Sequence, residues 1–240
     1  MLSGCGGTDT VADQANRGEA ARFNLQLAID YFRQGNLPLA KEKLERSLEQ
    51  DSRNPTAHAA AGLLYDRLGE FDKAEGHYEK AVSLNDKDSD IHNNFAVFLC
   101  RQGKYERGEK EALLAVSDPL YKTPEAGYLN AGICARDAGD LVRAEQHFRR
   151  ALTVKPQFSQ ALLEMADIEL RGQNYLPAKA FLERYHSSEK PNPVSLWLGV
   201  RIERGRGNMA QAGDYARRLK NDYPTADETK RLLELERQRR

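Results

Sequence analysis

Along most of this chain, apolar and small residues recur every three or four positions, in short runs separated by turn-forming residues. In "PTAHAAAGLLYDRLG" (55–69) this spacing predicts an amphipathic helix, and the closing glycine supplies the left-handed residue that ends it. The next stretch, "EFDKAEGHYEKAVSL" (70–84), predicts a second helix. The same grammar returns down the chain. Gly35, Gly69, Gly103, Gly139 and Gly207 are spaced by 34, 34, 36 and 68 residues. The skipped position lies in "LRGQNYLPA", where Gln173 takes the slot. Two residues after each slot stands an aromatic or aliphatic residue: Leu37, Phe71, Tyr105, Leu141, Tyr175 and Met209. Five residues after it stands a small one: Ala40, Ala74, Gly108, Ala144, Ala178 and Ala212. Pro38 and Pro177 fall in the first turn of a second helix, where a missing N–H costs little. A fixed period of this length predicts stacked helix pairs in which each unit buries its neighbour's apolar face.

The pattern resembles the tetratricopeptide repeat. The second unit matches best, through Gly62, Tyr65, Gly69, Ala74, Tyr78 and Ala81; the fifth and sixth carry Glu169 and Glu203 in the tyrosine slot. The expected fold is an all-α, right-handed tetratricopeptide-repeat solenoid of six helix pairs plus a C-terminal capping helix. Its expected repeats cover 21–54, 55–88, 89–124, 125–158, 159–192 and 193–224, with the cap in 225–240.

Composition narrows the function. Lys and Arg number 36, and so do Asp and Glu, so no global basic field is available to hold nucleic acid. No apolar run approaches the length needed to cross a bilayer. Cys5, Cys100 and Cys134 are too few for a disulfide framework. Cys100 and Cys134 sit in first helices, where core packing is the preferred role. "GRGNMA" (205–210) has the spacing of a dinucleotide fingerprint but follows a helix rather than a strand. "DKDSD" (86–90) opens like a calcium loop, yet Ile91 and Val97 stand where glycine and glutamate are needed. The histidines are scattered across units, with His77 and His147 expected on a solvated face. No nucleophile has an evident base. A non-enzymatic binding protein is expected, without cofactor, metal or small-molecule substrate.

In tetratricopeptide proteins the first helices line the concave face, so the resemblance implies which side chains meet a partner. The expected groove residues are Leu25, Ile29, Phe32, Ala59, Leu63, Asn93, Val97, Leu129, Ile133, Leu163 and Trp197. Most are apolar, as an exposed binding stripe requires. Arg33, Arg67, Arg101 and Arg171 recur at the end of first helices. They invite an acidic ligand, but a cation there complements the helix dipole in any case, and that reading is preferred.

Three longer stretches are more specific. "ALLEMADIELRGQNYLPAKAFLERY", "SLWLGVRIERGRGNMAQAGDYARRLKNDYP" and the run from "LERSLEQ" to "RQGKYE" resemble the type IV pilus biogenesis lipoproteins of the pilotin family. That resemblance implies a periplasm-facing outer-membrane lipoprotein that binds subunits of the pilus secretin and promotes their outer-membrane localisation and multimerisation. A lipid-anchored tetratricopeptide scaffold for another envelope complex is the alternative. The opening "MLSGCGG" agrees with the first reading, because Leu2-Ser3-Gly4-Cys5 fits a lipobox with Cys5 as the lipid-bearing residue. No apolar signal segment precedes it within 1–5, so a truncated start is expected. Residues 6–20 are expected to form a flexible tether spanning roughly 20 Å.

Overall fold

A computed structural model describes the backbone of residues 11–238 and the side chains of 16–238. Thirteen helices and no strand occur among the described residues. They fall into two compact units, meeting in sequence between Tyr121 and Lys122.

The N-terminal unit holds α1 (Val11–Arg33), α2 (Leu37–Gln50), α3 (Pro55–Arg67), α4 (Phe71–Leu84), α5 (Ser89–Arg101) and α6 (Tyr105–Ala115). Successive helices form pairs, and first helices α1, α3 and α5 also pack side by side. Local chemistry sets the ends. Asn36, Asn54 and Asp88 each accept a backbone N–H of the helix that follows, satisfying a donor the helix cannot pair internally. Pro55 opens α3 at its first turn. Gly69 adopts φ +77°, which a side chain would disfavour.

The tether expected over 6–20 is corrected here. From Val11 onward this segment is helix, continuous with α1. Its sequence explains the difference: "VADQANRGEAA" holds no proline and is rich in helix-compatible residues. Ala21, just beyond it, is fully buried, and its carbonyl accepts the Ser47 hydroxyl at 2.8 Å. Cys5 and residues 6–10 lie outside the described residues.

The core of this unit centres on Tyr78, 1 % exposed, stacked on Phe95 at 5.4 Å and tilted against Phe98 at 5.4 Å. The space for its ring exists because residue 62 is glycine: a Cβ there would stand 2.7 Å from the Tyr78 ring.

The C-terminal unit holds α7 (Pro124–Asp137), α8 (Leu141–Val154), α9 (Ser159–Arg171), α10 (Tyr175–Ser188), α11 (Pro193–Gly205), α12 (Met209–Asp222) and α13 (Asp227–Arg237). The glycine–aromatic packing recurs, with Gly132 against Phe148 and Gly199 against Tyr215. Gln173 has φ +60°, the only positive φ at a non-glycine among the described residues, in the slot other repeats give to glycine. Where the tyrosine slot holds a carboxylate, ion pairs replace the ring. Glu203, 1 % exposed, accepts two hydrogen bonds from Arg206, at 2.7 and 2.9 Å. Glu169 accepts from Arg149 and Asn174. Buried charges need such partners. Helix α13 caps the unit, with Leu232 buried against α11 and α12 and the Thr229 hydroxyl donating to the Tyr223 carbonyl at 2.6 Å.

One side-chain expectation changes: His147 is buried rather than solvated. Cys100 and Cys134 are buried, as expected of core packing.

His92 gives a pH test of the N-terminal unit. Its Nδ1 lies 2.6 Å from the Glu111 carboxylate and its Nε2 2.9 Å from the Asp86 carbonyl. Both partners accept only, so both ring nitrogens donate, which is the imidazolium form. The Glu111 bond raises the His92 pKa above its ordinary value, against the effect of burial. A raised pKa means stability fully present below the unfolded value, near 6.5, and lost as pH rises through the folded value. His92→Gln is therefore expected to cost about 2 kcal/mol at pH 6. That cost should shrink at alkaline pH, above the raised folded value, where the linked wild-type contribution has itself been lost. Urea unfolding under the two conditions checks it; a cost that grows with pH contradicts the assignment.

Candidate functional site

The site is an apolar groove between α1 and α3. Ala28, Ile29 and Phe32 of α1 face Ala59, Ala60 and Leu63 of α3, over a floor of Ala40 and Leu44 from α2. Its volume is about 330 Å³. The concavity comes from sequence: in "HAAAGLLY" the run of alanines gives α3 almost no side-chain bulk where it faces α1. Leu63 remains 42 % exposed and Val97, on the neighbouring α5, 37 %. Asn93 is half-buried one turn before Val97. Water-exposed leucine and valine on adjacent helices form the kind of patch that a partner's apolar face covers.

Two expected groove residues belong elsewhere. Leu25 is only 8 % exposed and packs in the N-terminal core with Ala28, Leu44 and Leu64. Leu129 is 5 % exposed and packs in the C-terminal core with Phe148 and Met165. In both, the fifth position of the first helix turns inward to the body of its unit instead of outward.

The C-terminal residues form a different surface. Ile133 and Leu163 are half-buried against the core around Phe148, and Trp197 packs against the cluster of Leu196, Leu219 and Leu232. Around them the face is ionic. Asp167 accepts from Arg171 at 2.6 Å and from Arg201 at 3.3 Å, and Arg136 pairs with Glu164. The apolar stripe expected along the first helices is thus a groove of the N-terminal unit, while charged pairs accompany Ile133, Leu163 and Trp197 in the C-terminal one.

The ends of the first helices add residues that sequence alone does not assign to a site. Leu37, Phe71 and Gln102 join Phe32, Leu63, Arg33, Arg67 and Arg101 around a second, more open cleft. Leu37 and Phe71 are legible as the apolar residue two places after the turn glycine, but that position reads as turn packing. Only the fold shows Phe71 46 % exposed beside the arginines.

Elsewhere in the N-terminal unit, His58 and His77 meet through their Nδ1 atoms at 3.0 Å, and the Tyr65 ring stacks on His77 at 5.3 Å. Burial, and then His58, lower the His77 pKa. Burial, and then Glu45, raise that of Tyr65. The pair is a structural contact between α3 and α4. No group of three or more metal-ligating side chains occurs among the described residues, and no described helix is long and apolar enough to cross a membrane.

Glycine-hinged helix pairs that expose an apolar groove between first helices define a tetratricopeptide-repeat protein. Tetratricopeptide-repeat family models match residues 25–90 and 77–110. Over 226 residues the chain is 28 % identical to the type IV pilus assembly protein PilF of Pseudomonas aeruginosa, covering 93 % of this chain and 90 % of that one. The solved structure of P. aeruginosa PilF superposes with a TM-score of 0.80, covering 91 % of this chain and 98 % of that one at 28 % identity. That of PilW, described as a widely conserved type IV pilus biogenesis factor, gives 0.82, covering 89 % and 98 % at 29 % identity. The chain is thus homologous over nearly its whole length to PilF and PilW, proteins of type IV pilus biogenesis, and shares their tetratricopeptide-repeat fold.

Proposed function

We propose that this protein is a pilotin. It binds subunits of the type IV pilus secretin through the apolar groove of its N-terminal unit and promotes their localisation to, and multimerisation in, the outer membrane. The observation that carries the reading is the end-to-end likeness to PilF and PilW, which takes in both units. The groove supplies the means: a lined concavity with exposed Leu63 and half-buried Phe32 suits an apolar helix or extended segment of a partner. The action is non-covalent recognition without catalysis. Cys5, outside the described residues, is the proposed site of the lipid that holds the protein at the periplasmic face of the outer membrane. Two acyl chains or an equivalent second signal are required for a stable anchor.

Leu63→Glu with Val97→Glu tests the groove. Both side chains are more than a third exposed, so the change is expected to leave helical content intact. It puts two carboxylates where a partner's apolar side chains must lie. In affinity capture with the purified periplasmic part of the secretin, binding is expected to fall at least about a hundredfold, the scale of losing a central interface anchor. Undiminished capture would move the interface to another surface.

A further inference from the structure

The cleft beyond the groove combines two features that the repeat architecture does not require together. The last turns of α1, α3 and α5 present Arg33, Arg67 and Arg101, one guanidinium from each first helix. Between them stand Phe32, Leu63 and Phe71, around a space of about 890 Å³. A cation at a helix C-terminus is favourable in itself, and that accounts for the arginines singly. It does not account for a half-exposed phenylalanine held in water beside three of them.

The charges are not mutually cancelled. Asp66 is the one carboxylate in the lining, and Arg101 already holds it in an ion pair. Arg33 lies 3.8 Å from Asp30, with both side chains largely in solvent, a geometry of little energetic worth. Arg67 makes no ion pair among the described residues. The cleft therefore offers two available guanidiniums against an apolar wall, and it shares Phe32, Arg33 and Leu63 with the groove, so the two surfaces are continuous.

We infer that this cleft reads the acidic part of the partner segment: a peptide in which an aliphatic or aromatic side chain stands next to acidic side chains, its apolar group filling the space at Phe32, Leu63 and Phe71 and its carboxylates pairing with Arg67 and Arg33. Guanidinium forks match carboxylates in two-point geometry, and the adjoining apolar surface strengthens such pairs by limiting their exposure to water. Side-chain carboxylates fit better than a chain-terminal one. The cations come from successive helices instead of converging on a point, so they match charge distributed along a segment. The inference rests on the groove being the partner-binding face and extends it to the partner's chemistry.

The test uses fluorescein-labelled synthetic peptides with amidated ends, identical in their Leu and Phe residues, one carrying Glu and the other Gln between them. Fluorescence anisotropy with the full chain is expected to show the Glu peptide binding about tenfold tighter at low salt, with the preference shrinking to about twofold in roughly 0.5 M NaCl. Arg33→Glu with Arg67→Glu should abolish the preference at unchanged helical content, and Arg33→Lys with Arg67→Lys should retain part of it. Equal binding of the two peptides, no binding of either, or an undisturbed preference in the double Glu variant overturns the inference. So does a Gln peptide with a free C-terminus that binds as tightly as the Glu peptide, which would assign the cleft to a terminal carboxylate. Peptides tiled across the secretin's periplasmic part separate the two proposals. If the synthetic pair behaves as expected but no secretin peptide binds, the cleft chemistry stands and the secretin reading falls. If secretin peptides bind the groove with no dependence on acidic residues, the reverse holds.

Discussion

Replacing Phe148 with alanine is expected to destabilise the C-terminal unit by about 3–5 kcal/mol, a large part of the stability of a unit this size. Phe148 is fully buried, and its ring lies against Gly132 of the facing first helix, in a core with Ala135, Ala144 and Met165. Truncation removes the ring's transfer free energy and leaves a cavity that a glycine on one side and alanines on the other cannot fill. Two close-packed helices collapse poorly into such a space, so the cost should lie high in the usual range. Trp197, the only tryptophan of the chain, sits in the same unit and reports its unfolding by fluorescence, while circular dichroism follows both units. The expected result is a fluorescence midpoint shifted to much lower urea, with a second, less affected transition in the circular dichroism. A shift worth under about 1 kcal/mol would mean that the glycine–aromatic contact is not what holds α7 on α8.

That contact is legible in the amino-acid sequence. The 34-residue recurrence of glycine, small residue and aromatic specifies helix pairs because each residue type in the pattern meets a separate physical need. The glycine makes a left-handed turn, the small residue permits a close approach, and the ring fills the space between the helices. Gln173 fits the same logic, since the slot demands the backbone angle and not the glycine itself. Other features are not legible. The carboxylates at 169 and 203 look like broken repeats in sequence, and only the fold brings Arg149 and Arg206 to them. The groove is half legible. Periodicity assigns a residue to a helix face, but whether that face is open depends on how the neighbouring helix leans. Leu63 and Leu25 share a pattern, yet one is exposed and the other lies in the core. The segment from residue 11 reads as polar tether by composition, whereas its helicity follows from continuity with a well-packed α1. The arginine cleft is hidden in the sequence because its apolar wall, Phe71, belongs to a second helix, outside the first-helix face that the repeat pattern marks for a partner.

The largest effect expected in the cell follows from the pilotin reading. Subunits of a membrane-embedded ring carry apolar surface that is uncovered before assembly, and such surface aggregates. A lipid-anchored binder that covers one apolar segment and brings subunits to one membrane converts a slow encounter in three dimensions into assembly at high effective concentration. Removing the binder should therefore affect assembly far more than synthesis of the subunit. Reintroducing the protein with Leu63→Glu and Val97→Glu should fail to restore assembly, and reintroducing the unaltered chain should succeed.

The central claim is tested most directly by an immunoblot of the secretin in a strain lacking this protein, run without heating in detergent. The detergent-resistant multimer is expected to disappear while monomer persists, and to be restored by the wild-type chain and not by the groove variant. Normal multimers in the deletion strain, correctly placed in the outer membrane, would contradict that claim.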